Sequence, residues 1–258
     1  MADAYTIFLW VMLGTGIFVF ITLFFENAGY GQFVTKKWGK NINNKAGWVI
    51  MEVPVIIAYI IIWLWSDRRG DTVPLVFTAI FMTHYINRTF IFPYLIRGKD
   101  VMPWSIISFG MIFNTCNAIM QGVWIFFYVT PAYDVSWLST PQFIIGFILF
   151  IIGFIINLNA DHVVRNLRPK NEQGAMQFKI PRGGVFDLFK VSSPNYLGEF
   201  TEWLAFGIMT WSPSGFLFAA WTFFNLFPRA YALRKWYIKT FGEEFTKLNR
   251  KIMLPWIL

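Results

Sequence analysis

Apolar residues form seven long runs along the chain, separated by shorter polar segments. The runs cover approximately Tyr5–Phe25, Gly47–Trp65, Val73–Ile96, Ser105–Thr130, Gln142–Asn159, Leu197–Trp211 and Ser214–Phe227. A helix needs about 20 apolar residues to cross a hydrocarbon core roughly 30 Å thick. The pattern predicts an all-α, polytopic membrane protein with seven transmembrane helices, forming a single domain over residues 1–258. The last two runs are short, so a single re-entrant hairpin stays open as an alternative.

Basic residues fall almost entirely on one side of the membrane in this arrangement. With the N-terminus outside, the inner loops 26–46, 97–104 and 160–196 and the tail from residue 228 carry 19 of the 22 Lys and Arg residues. The outer segments carry only Arg68 and Arg69. Because cytoplasmic loops are enriched in Lys and Arg, the pattern predicts an outer N-terminus, a cytoplasmic C-terminus and an odd number of spans.

Composition narrows the function classes. Hydrophobic residues make up 56% of the chain and charged residues 14%, so the net charge of +8 is assigned to the inner face, lipid headgroups or an anionic cofactor rather than to nucleic acid. The single cysteine, Cys116, excludes an internal disulfide framework. Two histidines, His84 and His162, are too few for a di-iron or haem oxidase, and no metal site is expected.

Four ionisable residues stand out because they lie in or at the ends of apolar runs: Glu52, Arg88, Asp161 and Glu199. A charge in hydrocarbon costs roughly 3 kcal/mol or more, so such residues usually serve a function. All four lie toward the inner half of the predicted bundle. We expect a polar cavity there that takes a lipid-like substrate from the bilayer and an anionic cofactor from the cytosol.

The second and third spans supply the first candidate group. His84, Tyr85 and Arg88 are at i, i+1 and i+4, which predicts that Arg88 shares a helix face with both. Glu52 has no basic neighbour in sequence, so it is expected to be a protonated carboxyl that can donate a hydrogen bond to a carbonyl oxygen. The alternatives are a buried ion pair at Arg88 and a headgroup position for Glu52.

Two polar stripes follow in the second half of the chain. The first leaves the fifth span if that helix continues, and comprises Asn157, Asp161, Arg165 and Arg168. The second opens the sixth span, and comprises Asn195, Glu199 and Glu202. A solvated helix end would explain the first, and carboxylates at a positive helix N-terminus would explain part of the second. GxGxxG, Walker, GxSxG and HExxH motifs are absent, so a dinucleotide would not be held by a Rossmann fold.

Several segments resemble the steroid 5α-reductase family over nearly the whole chain. They are HYINRTF (84–90), NLNAD (157–161), RNLR (165–168), IPRGGVF (180–186), NYLGE (195–199), WYIK (236–239) and LPWI (254–257). The resemblance implies NADPH-dependent reduction of a 3-oxo-Δ4-steroid, with the C3 ketone bound by Glu52 and Tyr85. It implies substrate positions at Tyr30 and Trp48. It also implies cofactor positions at Arg88, Lys99, Asn157, Asp161, Arg168, Lys179, Asn195, Glu199 and Tyr237.

The chain also departs from the family pattern. Met51 stands where the animal enzymes have a Gln before the catalytic Glu, which predicts the loss of one hydrogen-bonding group at the site. Lys99 and Lys179 stand where relatives often have Arg, which keeps the charge but loses the bidentate geometry. The segment 229–235 has no histidine where animal members have several.

Other functions remain as alternatives. A trans-enoyl-thioester or polyprenoid reductase would use the same hydride chemistry on another substrate. A membrane methyltransferase would bind S-adenosylmethionine instead of NADPH, and a non-catalytic sterol-binding protein would bind steroid without oxidising a cofactor. The favoured prediction is an integral protein of a bacterial inner membrane whose active site opens to the cytoplasm.

Overall fold

The computed structural model describes residues 3–29, 31–98, 100–167 and 178–257, with the side chain of Lys36 excluded. Within them, five helical segments are long and apolar enough to cross a membrane. They are α1 (Ala4–Thr22), α2 (Asn44–Trp65), α3 with α4 (Thr72–Ile86 and Phe92–Leu95), α5 (Trp104–Val123) and α6 (Pro141–Asn166). The multi-pass membrane architecture is confirmed.

Four further helices follow α6: α7 (Gly184–Phe189), α8 (Pro194–Thr210), α9 (Pro213–Phe241) and α10 (Glu243–Thr246). The last two predicted spans lie on α8 and α9, and α9 extends well past the predicted end at Phe227. The count of seven spans and the orientation stay predictions. Three-residue strands β1 (Asn41–Asn43) and β2 (Val101–Pro103) form an antiparallel ribbon that the pattern did not predict.

Two π-helical turns interrupt the α-helical hydrogen bonding. Asn87–Ile91 joins α3 to α4, and Trp124–Tyr128 extends α5. In the first, the Phe92 N–H donates to the carbonyl of Asn87, five residues back. The turn containing Arg88 is therefore wider than an α-turn, and the helix face that His84, Tyr85 and Arg88 are expected to share stays a prediction.

The chain divides into two compact units, each made of separate segments. Unit 1 comprises residues 1–27, 147–206 and 216–258, and unit 2 comprises residues 28–146 and 207–215. A single domain over the whole chain stays a prediction.

Helices α2 and α5 of unit 2 pack closely because glycines remove side-chain bulk at their contact. A Cβ on Gly110 of α5 would lie 2.3 Å from Cγ of Met51, and one on Gly122 would lie 2.9 Å from Cγ2 of Ile62. Asn43 caps α2 by accepting from the Lys45 and Ala46 N–H groups, which satisfies amides at the helix start. This packing fixes the position of α2 against the middle of α5, where the polar residues described below lie.

Glycines also remove side-chain bulk where helices α6 and α8 meet in unit 1. A Cβ on Gly153 would lie 2.7 Å from the carbonyl oxygen of Gly198, and one on Gly198 would lie 2.6 Å from the backbone nitrogen of Asn157. The two backbones are therefore almost in contact. This contact places Asn157 of α6 beside the first turn of α8.

Candidate functional site

Glu52 lies inside unit 2, with 8% of its surface exposed. The Asn114 side-chain amide on α5 donates to its Oε2 at 2.9 Å and to the backbone carbonyl of Met51 at 2.9 Å. The alternative position of Glu52 at the headgroups is not needed to account for this carboxyl, because it is buried and has a buried polar partner. Asn114 also supplies an amide donor at the site, where the Met51 side chain has none and instead packs against Gly110.

Tyr85 of α3 is 2% exposed, and its hydroxyl accepts a 2.7 Å hydrogen bond from Asn117 Nδ2. Asn114 and Asn117 are three residues apart on α5, a spacing that places side chains on one helix face about 5–6 Å apart. Glu52 and Tyr85 therefore reach neighbouring positions on the same face of α5. Both side chains are buried inside unit 2.

Arg88 is 9% exposed and lies among aromatic rings of unit 2. Its guanidinium carbon is 5.1 Å from the ring centre of Trp48 and 4.7 Å from that of Phe92. These two rings meet edge to face at 5.0 Å. Stacking on aromatic faces stabilises a guanidinium away from water, and holds Arg88 next to Trp48, one turn before Glu52 on α2.

The remaining described cofactor candidates lie in unit 1. Asn157 is buried, and its amide donates to the backbone carbonyl of Asn195 at 3.3 Å. Helix α6 continues to Asn166, which meets the condition set for the polar stripe as far as Arg165, and Asp161 lies half-buried on it. Glu199 is half-buried on α8, close to the start of that helix.

Lys179 and Tyr237 lie at one aromatic cluster of unit 1. Lys179 is exposed, between Phe178, whose ring meets Trp236 at 4.8 Å, and Ile180, which packs in the cluster of Tyr237. The Tyr237 ring stacks on Phe245 at 5.0 Å. Burial disfavours the phenolate and raises the pKa of Tyr237 to about 12, partly opposed by the positive charge of Arg250.

Arg250, which the sequence did not single out, holds the loop before α7. It is 2% exposed, and it donates to the Pro181 carbonyl at 2.7 Å and to Asp187 Oδ1 at 2.6 Å. Burial alone would raise the pKa of Asp187, but the Gly183 N–H together with Arg250 and Arg182 lowers it below its usual value. The Pro-Arg-Gly-Gly turn is thus tied to the C-terminal segment.

Asn159 holds the other side of this turn. Its Oδ1 accepts from the Val185 N–H at 3.0 Å, at the start of α7. A Cβ on Gly184 would lie 2.3 Å from the same oxygen, and the φ of Gly184 is +54°. Only glycine fits this position, because any side chain would strike the Asn159 oxygen and strain the backbone.

Three predicted site residues, Tyr30, Lys99 and Arg168, lie outside the residues that the structure describes. The structure adds Asn114, Asn117 and Gln121 to the predicted set. They recur at i, i+3 and i+7 within an apolar span, which is a helical-face signal, but they carry no charge and were passed over. Within the described ranges, no group of three His, Cys, Asp or Glu residues could hold a metal ion.

Fold and site together define a mostly helical, multi-pass membrane protein with buried polar groups among its helices. Residues 100–258 match the family model described as 3-oxo-5-alpha-steroid 4-dehydrogenase. The chain is 35% identical to bovine 3-oxo-5-alpha-steroid 4-dehydrogenase 1, over 94% of this chain and 93% of the relative. It is 35% identical to the steroid 5-alpha-reductase DET2 of Arabidopsis thaliana, over 92% of this chain and 90% of the relative.

The murine 3-oxo-5-alpha-steroid 4-dehydrogenase 1 is 36% identical over 93% of this chain and 91% of the relative. The chain belongs to the 3-oxo-5-alpha-steroid 4-dehydrogenase family, and it is an oxidoreductase of the class that acts on CH–CH groups.

Proposed function

We propose that the protein reduces the Δ4 double bond of a 3-oxo-Δ4-steroid, or of a steroid-like enone, to the 5α-reduced ketone with NADPH as the reductant. The proposal rests on one observation: a buried carboxyl, Glu52, and a buried phenol, Tyr85, reach neighbouring positions on one face of α5. Each is hydrogen-bonded to a side-chain amide on that face. The relatives named for this reaction give its direction and substrate class.

In the proposed reaction, Glu52 and Tyr85 donate hydrogen bonds to the C3 ketone oxygen. Negative charge grows on that oxygen as the β-carbon accepts the hydride, so donors already in place stabilise the transition state more than the ground state. A proton added at the α-carbon then completes the reduction and restores the ketone. One donor of this kind is worth about 3–4 kcal/mol. Trp48, four residues before Glu52, is proposed to contact the flat steroid, and Tyr30 stays a substrate prediction.

The residues of unit 1 fit a polyanionic dinucleotide. Lys179 is exposed, and the Arg182 side chain is 52% exposed and donates to Glu244 Oε1 at 3.3 Å, on either side of the fixed Ile180–Pro181 segment. Gly183 has a φ of +82° and open space where a Cβ would be, while its N–H donates to Asp187 Oδ2 at 2.6 Å. NADPH, when bound, supplies the hydride.

Within unit 1 we assign the holding of the cofactor to Asn157, Asp161, Lys179, Asn195, Glu199 and Tyr237. The Asn157 amide and the Asn195 carbonyl meet at one place, where α6 contacts α8. Arg88, Lys99 and Arg168 stay cofactor predictions from the family resemblance. Arg88 is held at the aromatic rings of unit 2. With most basic residues on the predicted inner side, we place the cofactor opening at the cytoplasm of a bacterial inner membrane.

The test is an assay of the purified protein in detergent with NADPH and either testosterone or progesterone. We expect one NADPH oxidised per steroid reduced, and a saturated 3-oxo-5α-steroid identified by mass spectrometry and NMR. An enoyl-CoA substrate and a steroid with a reduced A-ring serve as matched controls and should not be turned over. Oxidation of NADPH with the enoyl-thioester alone would reject the proposal in favour of a thioester reductase.

A further inference from the structure

A continuous chain of hydrogen bonds leads from a backbone carbonyl to the hydroxyl of Tyr85. Gln121 Nε2 donates to the carbonyl oxygen of Ser214 at 3.2 Å and to Asn117 Oδ1 at 3.2 Å. Asn117 Nδ2 then donates to Tyr85 Oη at 2.7 Å. The four residues lie in unit 2, and each is at most 2% exposed.

The backbone carbonyl gives the chain its direction. A carbonyl oxygen can only accept, so the NH₂ end of Gln121 must face Ser214. The same NH₂ group reaches Asn117, which fixes the Asn117 oxygen toward Gln121 and its NH₂ toward Tyr85. If both amides were reversed, the Gln121 oxygen would face the Ser214 oxygen, and two buried acceptors would repel each other.

Ser214 is the second residue of α9, directly after the short connection from α8. Thr210 Oγ1 is 2.7 Å from Ser212 Oγ, which accepts from the Gly215 N–H at 2.9 Å. The Tyr133 hydroxyl donates to the Thr210 carbonyl at 2.6 Å. The start of the chain is therefore fixed by contacts that do not involve Tyr85.

The burial of Gln121 has an energetic cost, which its role in orienting Asn117 explains. Within the described residues its Oε1 is buried without a hydrogen-bond partner. Buried polar atoms are rarely left unpaired in native structures, so one that persists needs a reason. An apolar residue of similar size would avoid the cost but would leave Asn117 free to reverse its amide.

We propose that Gln121 and Asn117 are positioning residues that force Tyr85 Oη to accept from Asn117, and so keep its proton for another acceptor. Resting on the proposed function, that acceptor is the ketone oxygen of the substrate. With Asn117 reversed, Tyr85 would donate its proton to the Asn117 oxygen and lose it as a donor. Asn114 is oriented in the same way, because the Met51 carbonyl fixes its NH₂ toward Glu52 Oε2.

The experiment compares Asn117→Asp and Gln121→Met with the wild-type protein. The carboxylate introduced by Asn117→Asp has no donor when ionised and accepts the tyrosine proton, so kcat should fall about 10-fold at pH 8 with the NADPH KM unchanged. On acidification the new carboxyl regains an O–H that can donate to Tyr85, so kcat should recover in a way that the wild type does not show. Gln121→Met keeps the shape and should lower kcat less, without an acid recovery.

A second measurement separates positioning from folding. In a Tyr85→Phe background, neither substitution should lower kcat further, because both act through the hydroxyl that is already absent. Thr115→Ala, which removes a hydroxyl bonded to the Met111 carbonyl in its own helix, is the matched control and should keep the wild-type kcat and pH profile.

The outcomes distinguish this proposal from the function on which it rests. A wild-type rate in Tyr85→Phe would overturn the role of Tyr85 and the proposal with it. A slow Tyr85→Phe together with wild-type rates and pH profiles in both amide variants would overturn the positioning proposal alone. Equal further losses of kcat in the Tyr85→Phe background would also overturn it, since the amides would then act on folding.

Discussion

The polar groups of the two units are held in opposite ways. In unit 2, Glu52 and Tyr85 are buried on helices, and each is bonded to an amide whose orientation a backbone carbonyl fixes. In unit 1, Lys179 and Arg182 are exposed on a loop, and what is fixed is the backbone of that loop. A neutral ketone must be polarised by donors of defined direction, whereas a phosphate needs only accessible charge on a firm support.

This comparison predicts that substitution of Glu52 causes the largest loss of kcat. Glu52→Gln should lower kcat by about 10²–10³-fold, because the amide that replaces the carboxyl is a weaker hydrogen-bond donor. The NADPH dissociation constant, measured by fluorescence titration, should not change, since Glu52 is proposed to contact the ketone alone. Turnover near the wild-type rate would remove Glu52 from the polarising role.

Tyr85→Phe should give the next largest effect, a loss of about 100-fold in kcat with little change in the thermal unfolding temperature. The ring still packs against Phe81, whose centre lies 4.7 Å away, so the core is retained. Steady-state kinetics and a detergent melting curve on the same preparation check both statements. A variant that loses its fold together with its rate would assign Tyr85 to the core rather than to the ketone.

Arg250→Met should affect stability and NADPH dependence rather than kcat, the reverse of the Glu52 and Tyr85 variants. It removes the bonds to Pro181 and Asp187, so the fold should lose about 1–3 kcal/mol and the NADPH concentration for half-maximal rate should rise. The kcat at saturating NADPH should change little. Arg250→Lys keeps the charge without the bidentate geometry, so its stability and its half-saturating NADPH concentration should lie between those of the wild type and Arg250→Met. A loss confined to kcat would contradict a loop-supporting role.

Asn159→Ala should weaken the same loop by less. The Val185 N–H would lose its acceptor, at a cost of about 1–2 kcal/mol, and the half-saturating NADPH concentration should rise moderately. Thermal unfolding and NADPH titration are the measurements. An unchanged affinity with a lowered melting temperature would separate the turn from the cofactor.

The smallest expected effect is the pH dependence of the Asp187 contact. Its pKa is lower in the folded protein than in the unfolded chain, so its contribution to stability is complete above its unfolded pKa and is lost as pH falls through the folded value. Half the side chain is exposed, so solvent weakens the interaction. Asp187→Asn should flatten this acid-side loss in melting experiments, and an unaltered profile would exclude Asp187 as its source.

Much of the helical fold follows from the sequence because the bilayer sets the length of an apolar run. Predicted and observed starts of the second, fourth and fifth spans differ by at most three residues. The π-turns and the β-ribbon were missed, since one altered hydrogen-bond register or a three-residue pairing leaves no periodic signal. Helix α9 continues to Phe241, past the end of the apolar run at Phe227, because an apolar run marks the length suited to a bilayer and not the end of the helix.

Candidate site residues can be predicted from the sequence where a charged residue lies within an apolar run. Special positions for Glu52 and Arg88 could be expected because a charge in an apolar run is costly, and both are buried. The neutral Asn117 and Gln121 give no such signal, although their helical spacing is visible in the sequence. Arg250 could not be found, because it is one of seven basic residues in the tail and only the fold shows that it is buried.

The most direct test of the central claim is the infrared spectrum of a bound 3-oxo-Δ4-steroid labelled with ¹³C at C3, recorded with NADP⁺ to prevent turnover. If Glu52 and Tyr85 both donate to the ketone oxygen, the carbonyl stretch moves to a lower frequency in the wild-type protein. It should recover part of that shift in Glu52→Gln and in Tyr85→Phe, and more in the double variant. A stretch at the frequency found in hydrocarbon solvent, or one that neither substitution moves, would contradict the claim.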